Sequence, residues 1–154
     1  MPSVSVLTRT QTLSIAPETA WAFFSDPRNL PAITPPGLGF RVLSDAPPAI
    51  HPGLMLRYSV RPLPGFRTTW VSEITQARAP EYFVDEQRSG PYALWRHEHH
   101  FRPMRGGVLI EDIVHYRLPF GILGRWIAGA LVRRRLDAIF AYRFRVLAER
   151  FGSA

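Results

Sequence analysis

The sequence predicts an α+β domain in which a curved, seven-stranded antiparallel sheet wraps around one long C-terminal helix, with two short helices after the first strand. Apolar residues recur at helical spacing over residues 122–151, and no proline interrupts them. Before them, short apolar runs alternate with turn residues, which is typical of antiparallel strands joined in sequence. Because the last helix is the only large element that can cover the apolar face of such a sheet, we expect the sheet to curve around it.

The predicted elements follow in order along the chain. Residues 4–15 form the first strand, where Val, Leu, Thr and Ile alternate loosely with polar residues. Pro17 and Glu18 suit the first turn of a helix that ends near Asp26, and a second short helix covers residues 28–33. The six further strands cover residues 40–44, 54–61, 66–76, 82–88, 92–102 and 108–118, and Gly106 and Gly107 mark the last hairpin.

Length and composition narrow the functional classes. The 154 residues fit a single domain over residues 1–154, and the absence of cysteine excludes disulfides, a thiol nucleophile and thiolate metal ligands. The net charge of +7 comes from arginines that are spread over the whole length, which disfavours a nucleic-acid partner. Residues 1–15 lack the apolar run of a signal peptide and no stretch is long enough to cross a bilayer, so we expect a cytoplasmic location.

Alternation along three strands predicts a group of polar side chains on the concave face of the sheet. His97 and His99 share a face with Trp95 and Phe101, because side chains two residues apart point the same way. The same rule places Asp112 with Ile110 and Val114, and it places Asp85 and Gln87 with Phe83. These five polar residues would form the floor of an otherwise apolar pocket: Asp85, Gln87, His97, His99 and Asp112.

Pairing about the last hairpin is expected to place Phe101 near Val108 and His97 near Asp112. A carboxylate beside a histidine fixes the orientation of the ring and can support acid–base chemistry. The same residues could equally form a buried structural network that ties the strands together. The sequence leaves both interpretations open.

Two further kinds of site are compatible with the sequence. His97 and His99 could share a metal ion with Asp112 as the third ligand, but no complete ligand set is apparent, so the sequence predicts neither a metal nor a cofactor. Residues 121–135, with Trp126 and three successive arginines at their end, could form a basic amphipathic segment on a membrane surface. Against this, the apolar residues of that segment are expected to fill the sheet.

Several runs in their order and spacing resemble a known superfamily. They are residues 83–92 (FVDEQRSGPY), 95–99 (WRHEH), 116–121 (YRLPFG) and 139–143 (IFAYR), together with 17–24 (PETAWAFF) near the start. The chain resembles the SRPBCC superfamily, also called START-like or Bet v1-like, and in particular its bacterial ligand-binding branch of polyketide cyclase/dehydrase-like proteins. The resemblance covers nearly the whole chain and implies the helix-grip fold with an internal cavity.

The resemblance implies binding, transport or sequestration of a small hydrophobic molecule such as a lipid, a polyketide or an aromatic compound. The alternative is a cyclase/dehydratase-type lyase or isomerase in which His97 and Asp112 form an acid–base pair, and the sequence favours the non-catalytic function. A regulatory module that contacts DNA or a membrane through its arginines is a third hypothesis. We expect a monomer or a homodimer. The predicted ligand-binding residues are Tyr58, Trp70, Phe83, Asp85, Gln87, Trp95, His97, His99, Asp112, Tyr116 and Trp126.

Overall fold

A computed structural model describes residues 3–154, so Met1 and Pro2 of the predicted domain lie outside the described residues. Seven strands and two α-helices make up the fold, and two 3-10 helices at Pro27–Ile33 and Pro36–Leu38 follow the first α-helix. The α-helices and strands are β1 Ser5–Leu13, α1 Pro17–Phe24, β2 Arg41–Val42, β3 Met55–Leu63, β4 Phe66–Arg78, β5 Tyr82–Ser89, β6 Leu94–Met104, β7 Gly107–Arg117 and α2 Gly121–Phe151.

All strands form one antiparallel sheet in the order β1-β7-β6-β5-β4-β3-β2, which confirms the predicted α+β helix-grip architecture. The first strand pairs with the last, so β1 forms one edge of the sheet beside the strand that leads into α2. Two details differ from the sequence prediction. The second short helix is a 3-10 helix that contains Pro31, and β2 covers only Arg41–Val42 instead of residues 40–44.

The register of the β6–β7 hairpin differs from the predicted one by two residues. A two-residue turn at Arg105 and Gly106 joins Met104 to Gly107, and Gly106 adopts a left-handed conformation (φ 83°), which favours glycine at this position. His99 therefore lies opposite Asp112, and Phe101 opposite Ile110 instead of Val108. Because side chains alternate with a period of two, this shift leaves every predicted inward face unchanged.

Helix α2 packs on the concave face of the sheet through one stripe of buried residues, Leu136, Phe140, Arg143 and Leu147. Two apolar clusters result. In one cluster, residues of α1 and of the C-terminal part of α2 pack near Phe101. In the other, residues from the middle of α2 pack near Tyr116. Among the helices formed by residues 3–154, none combines the length and the apolar character needed to cross a membrane.

Candidate functional site

A cavity of about 230 Å³ lies between the sheet, the middle of α2 and the 3-10 helices, and it borders both apolar clusters. Its walls are mostly apolar and rich in aromatic rings. Trp70 meets Trp95 edge-on with ring centroids 5.2 Å apart, and Phe40 lies against Tyr58 at 4.9 Å. Burial, together with the charge of Asp85, raises the pKa of Tyr58, so its hydroxyl stays neutral. The cavity is thus lined mainly by apolar and aromatic surface.

One side of the cavity carries a cluster that we call the charged floor: Asp85, His97, His99, Asp112 and Arg143. His97 Nε2 donates a hydrogen bond to Asp112 Oδ1 at 2.7 Å, and His99 Nε2 lies 3.2 Å from Asp85 Oδ2. The two imidazole rings lie against each other with centroids 3.7 Å apart. Strands β5, β6 and β7 therefore each contribute to the floor, and α2 contributes Arg143 from the opposite side.

The surroundings of the two histidines shift their pKa values in opposite directions. Burial lowers the pKa of His97, and the neighbouring His99 lowers it further, so the neutral ring is favoured despite its bond to Asp112. Burial also disfavours the charged form of His99, but the contact of its Nδ1 with Asp112 Oδ1 at 3.4 Å and the hydrogen bond with Asp85 outweigh burial and raise the pKa of His99. Of the two rings, His99 therefore has the greater tendency to carry a positive charge.

Both carboxylates of the floor are held in the ionised form. Burial alone would raise the pKa of Asp112, but the hydrogen bond from His97 and the close contact with His99 hold this pKa far below its ordinary range. The pKa of Asp85 is lowered in the same way, with His99 as the main partner against burial. The two negative charges are balanced by His99 and by the guanidinium of Arg143.

Arg143 is the residue that the sequence analysis missed as a member of the site. Its side chain is buried and borders the cavity, and its Nε and Nη1 atoms have no hydrogen-bond partner within residues 3–154. Nη1 lies 3.9 Å from Asp112 Oδ1, beyond hydrogen-bond distance. The sequence does carry a signal, because Arg143 occupies a core position of the helical stripe that includes Leu136, Phe140 and Leu147.

The structure places most of the predicted ligand-binding residues around the cavity, where their role in binding stays a prediction. Asp112 lies beneath the floor, only 1% exposed, and reaches the cavity through the histidines that it contacts. The predicted residues that border the cavity directly are Tyr58, Trp70, Phe83, Asp85, Trp95, His97 and His99.

Besides Asp112, three other predicted residues do not border the cavity. Gln87 donates to the backbone oxygen of Tyr92 at 2.7 Å and accepts from its backbone nitrogen at 3.2 Å, so its amide closes the β5–β6 loop. Tyr116 is buried in the second apolar cluster. Trp126 is 82% exposed, because α2 contacts the sheet only further along the helix. Helical spacing identified the face of Trp126 but not the point where the helix leaves the sheet.

Asp85, His97 and His99 each offer a potential metal-ligand atom, and these atoms lie within 4.8 Å of one another. In this arrangement all three side chains make hydrogen bonds within the floor, and the guanidinium of Arg143 would repel a cation nearby. The geometry therefore favours a hydrogen-bonded network, and the expected lack of a metal stays a prediction.

The fold and the cavity define a helix-grip protein with an internal pocket, and the comparisons with known proteins agree. Residues 13–140 match the family model described as polyketide cyclase / dehydrase and lipid transport. The chain therefore belongs to this family, which confirms the predicted SRPBCC, Bet v1-like superfamily. No curated protein sequence matches the chain significantly.

Solved structures of low sequence identity share the fold. A Chromobacterium violaceum protein is 16% identical, with a TM-score of 0.72 and coverage of 100% of both chains. A Rhodobacter sphaeroides protein is 18% identical, with a TM-score of 0.69 and coverage of 94% of this chain and 95% of the other. A point mutant of norcoclaurine synthase from Thalictrum, in complex with a transition-state analogue, is 15% identical, with a TM-score of 0.68 and coverage of 97% and 98%.

Proposed function

We propose that this protein binds a small, largely apolar molecule in the cavity between the sheet and α2, for transport or sequestration. A volume of about 230 Å³ lies below the roughly 300–1,000 Å³ of pockets for drug-sized ligands. The size favours a compact aromatic or polyketide-derived ring system over a full-length membrane lipid. Membership of a family described by polyketide cyclisation and lipid transport supports the same class of ligand.

The observation that carries this proposal is the unsatisfied guanidinium of Arg143 at the edge of an apolar cavity. Buried donors without a partner are costly, and a ligand oxygen can supply the missing acceptor. The preferred ligand therefore has an apolar body with one carbonyl or carboxylate group directed at Arg143. The aromatic walls at Trp70 and Trp95 would contact its body.

Binding can be tested with 2-naphthoic acid and its apolar counterpart 2-methylnaphthalene, using tryptophan fluorescence because Trp70 and Trp95 border the cavity. We expect saturable binding with preference for the acid. Arg143→Met should weaken binding of the acid by about tenfold or more and remove the preference. Arg145→Met is the matched control, because Arg145 lies on the same helix but is exposed. Equal losses in both variants, or no saturable binding, would contradict the proposal.

One observation favours a second candidate, an enzyme of the cyclase/dehydratase type. His97 is buried, favours the neutral form and is oriented by Asp112 at 2.7 Å, which is the arrangement of a general base. Norcoclaurine synthase shows that the same fold can host an enzyme.

The two candidates are separated by first identifying a co-purifying ligand with native mass spectrometry. An enzyme would convert that ligand, and both His97→Gln and Asp112→Asn would abolish the conversion. The Arg105→Gln variant, at the tip of the far β6–β7 hairpin, serves as the control. Conversion that survives in both floor variants, or a ligand that is never converted, rules out the acid–base pair.

A further inference from the structure

The first turns of α2 present an exposed apolar face. Phe120, immediately before the helix, is 85% exposed, and Trp126 is 82% exposed. The i, i+4 spacing places Ile122 and Trp126 in one row and Leu123, Ile127 and Leu131 in the next, so the exposed side chains form one continuous stripe. These residues were expected to fill the sheet, but the packed part of α2 begins only near Val132.

The turn before α2 fixes this arrangement. Phe120 and Gly121 both adopt left-handed backbone conformations, with φ of 64° and 57°. That conformation is unfavourable for a bulky residue such as Phe120, whose ring gains no buried contact in return. A Cβ on Gly124 would lie 2.0 Å from the backbone oxygen of Pro119, so the helix start is packed directly against the turn. The apolar stripe is therefore held outward.

Other exposed apolar residues lie at the same end of the sheet, which we call the α2 end. There β7 ends opposite the start of β1, where Val4 and Val6 are exposed. Since all strands are antiparallel, the β3–β4 turn also lies at this end, and Leu63 and Phe66 flank it. Large apolar residues on one end of a soluble domain mark an interaction surface.

The charge of the α2 end indicates the kind of partner. Its segments, residues 3–9, 61–72, 87–97 and 114–135, contain no Asp or Glu. They contain ten arginines, of which four pair with acids just outside these segments: Arg9 and Arg133 with Asp137, Arg88 with Glu73, and Arg96 with Glu98. Arg125 and Arg134 of α2 form no ion pair within residues 3–154. Arg133 and Arg134 follow the apolar stripe on the same helix face, seven residues after Trp126 and Ile127. An apolar stripe bordered by arginine fits an interface between acyl chains and anionic headgroups.

We propose that the α2 end docks on an anionic lipid bilayer, with the first turns of α2 lying in the headgroup region. A second copy of this chain is a poorer fit, because a symmetric dimer through this end would bring two arginine-rich surfaces together. Pro62, Pro91 and Arg135 border the cavity towards this end, so docking would turn the cavity towards the membrane. That last consequence extends the proposed ligand-binding function, whereas docking itself does not depend on it.

The test is co-sedimentation of the full chain with vesicles of equal parts phosphatidylglycerol and phosphatidylcholine, and with pure phosphatidylcholine vesicles. We expect binding to the anionic vesicles that weakens at high salt, and little binding to the neutral ones. Trp126→Gln with Ile127→Gln should lower the partition coefficient by roughly tenfold or more, and Arg125→Gln with Arg134→Gln should do so too. Trp126 emission should shift to the blue on binding, since the other three tryptophans are already half-buried.

The matched control is Met55→Gln with Met104→Gln, which removes two exposed apolar residues at the opposite end of the sheet. Docking as proposed is overturned if the wild-type protein ignores anionic vesicles, binds neutral ones equally well, or loses as much binding in the control as in the α2 variants. It is also overturned if a concentration-dependent dimer already shields Trp126. No ligand is present in the test, so its failure would leave the proposed ligand-binding function untouched.

Discussion

Arg143 Nη1 lies 3.9 Å from Asp112 Oδ1, close enough to balance its charge and too far to share its hydrogen bonds. The same oxygen is taken by His97 Nε2 at 2.7 Å, with His99 Nδ1 at 3.4 Å. Arg143 thus borders the cavity with its charge balanced by Asp112, while its Nε and Nη1 atoms donate no hydrogen bond within residues 3–154. This combination differs from a fully satisfied structural network, in which every buried donor has a partner.

The contribution of the floor to stability can be measured with Asp112→Asn. The substitution removes the buried charge that pairs with His99 and Arg143, and we expect it to lower the free energy of unfolding by about 3–5 kcal/mol. Asp137→Asn is the control, since Asp137 pairs with Arg9 and Arg133 at a position that is 44% exposed. There the expected loss is at most about 1 kcal/mol. Urea unfolding of the two variants measures both, and similar losses would show that the floor contributes no more than a surface pair.

Stability should fall as the pH rises above neutral, because of His99. Its pKa is raised in the folded protein from an ordinary value of 6.5. Above pH 6.5 the unfolded chain has lost this proton while the folded protein keeps it, so the folded state is favoured less with each step up in pH until the raised pKa is passed. The slope is at most about 1.4 kcal/mol per pH unit, and His99→Gln should abolish it.

His97 should affect the stability of the protein at acidic pH. Its pKa is lowered from an ordinary value of 6.5, so below that pH the unfolded chain binds a proton that the folded protein does not. Stability is then lost as the pH falls from 6.5 through the lowered pKa, and His97→Gln should reduce this loss. Urea unfolding across the pH range compares the two variants. If each changes the same side of the curve, the assignment of opposite pKa shifts to His97 and His99 is wrong.

The inward faces of the strands were predictable because side chains alternate between the two faces of a strand, so each face depends only on whether a residue is an odd or even number of positions away. The predicted β6–β7 register was two residues out, yet His97, His99 and Asp112 are all buried as expected, since an even shift preserves the face. The contact between His97 and Asp112 exists, but it is made diagonally, because the direct cross-strand neighbour of Asp112 is His99.

The sequence predictions that failed concern α2, because the spacing of apolar residues does not show which part of the helix contacts the sheet. Trp126 follows the helical pattern of apolar residues but lies beyond the region where α2 packs on the sheet. Arg143 breaks the same pattern, and only the position of the cavity shows that its charge faces an internal space. Tertiary packing decides both cases. Periodicity predicts which face of a helix is apolar, but it does not predict how much of the helix the sheet covers.

Ser72 offers the sharpest test that the cavity itself is the binding site. It is buried, borders the cavity and has an Oγ atom without a hydrogen-bond partner within residues 3–154. Ser72→Val removes this unsatisfied hydroxyl, adds a methyl group to the cavity and suits a strand. We therefore expect the free energy of unfolding of the empty protein to rise by about 1 kcal/mol, while affinity for 2-naphthoic acid falls by roughly tenfold or more.

The matched control is Ser59→Val on the neighbouring strand, where the hydroxyl accepts a hydrogen bond from Arg67 Nη1 at 2.6 Å. Losing that partner should lower the free energy of unfolding by about 1 kcal/mol or more. Because Ser59 does not border the cavity, affinity for the acid should stay close to that of the wild-type protein. Urea unfolding and tryptophan fluorescence measure the two quantities. A Ser72→Val variant that binds the acid as tightly as the wild type would place the ligand outside this cavity, because the added methyl group occupies space that the ligand needs.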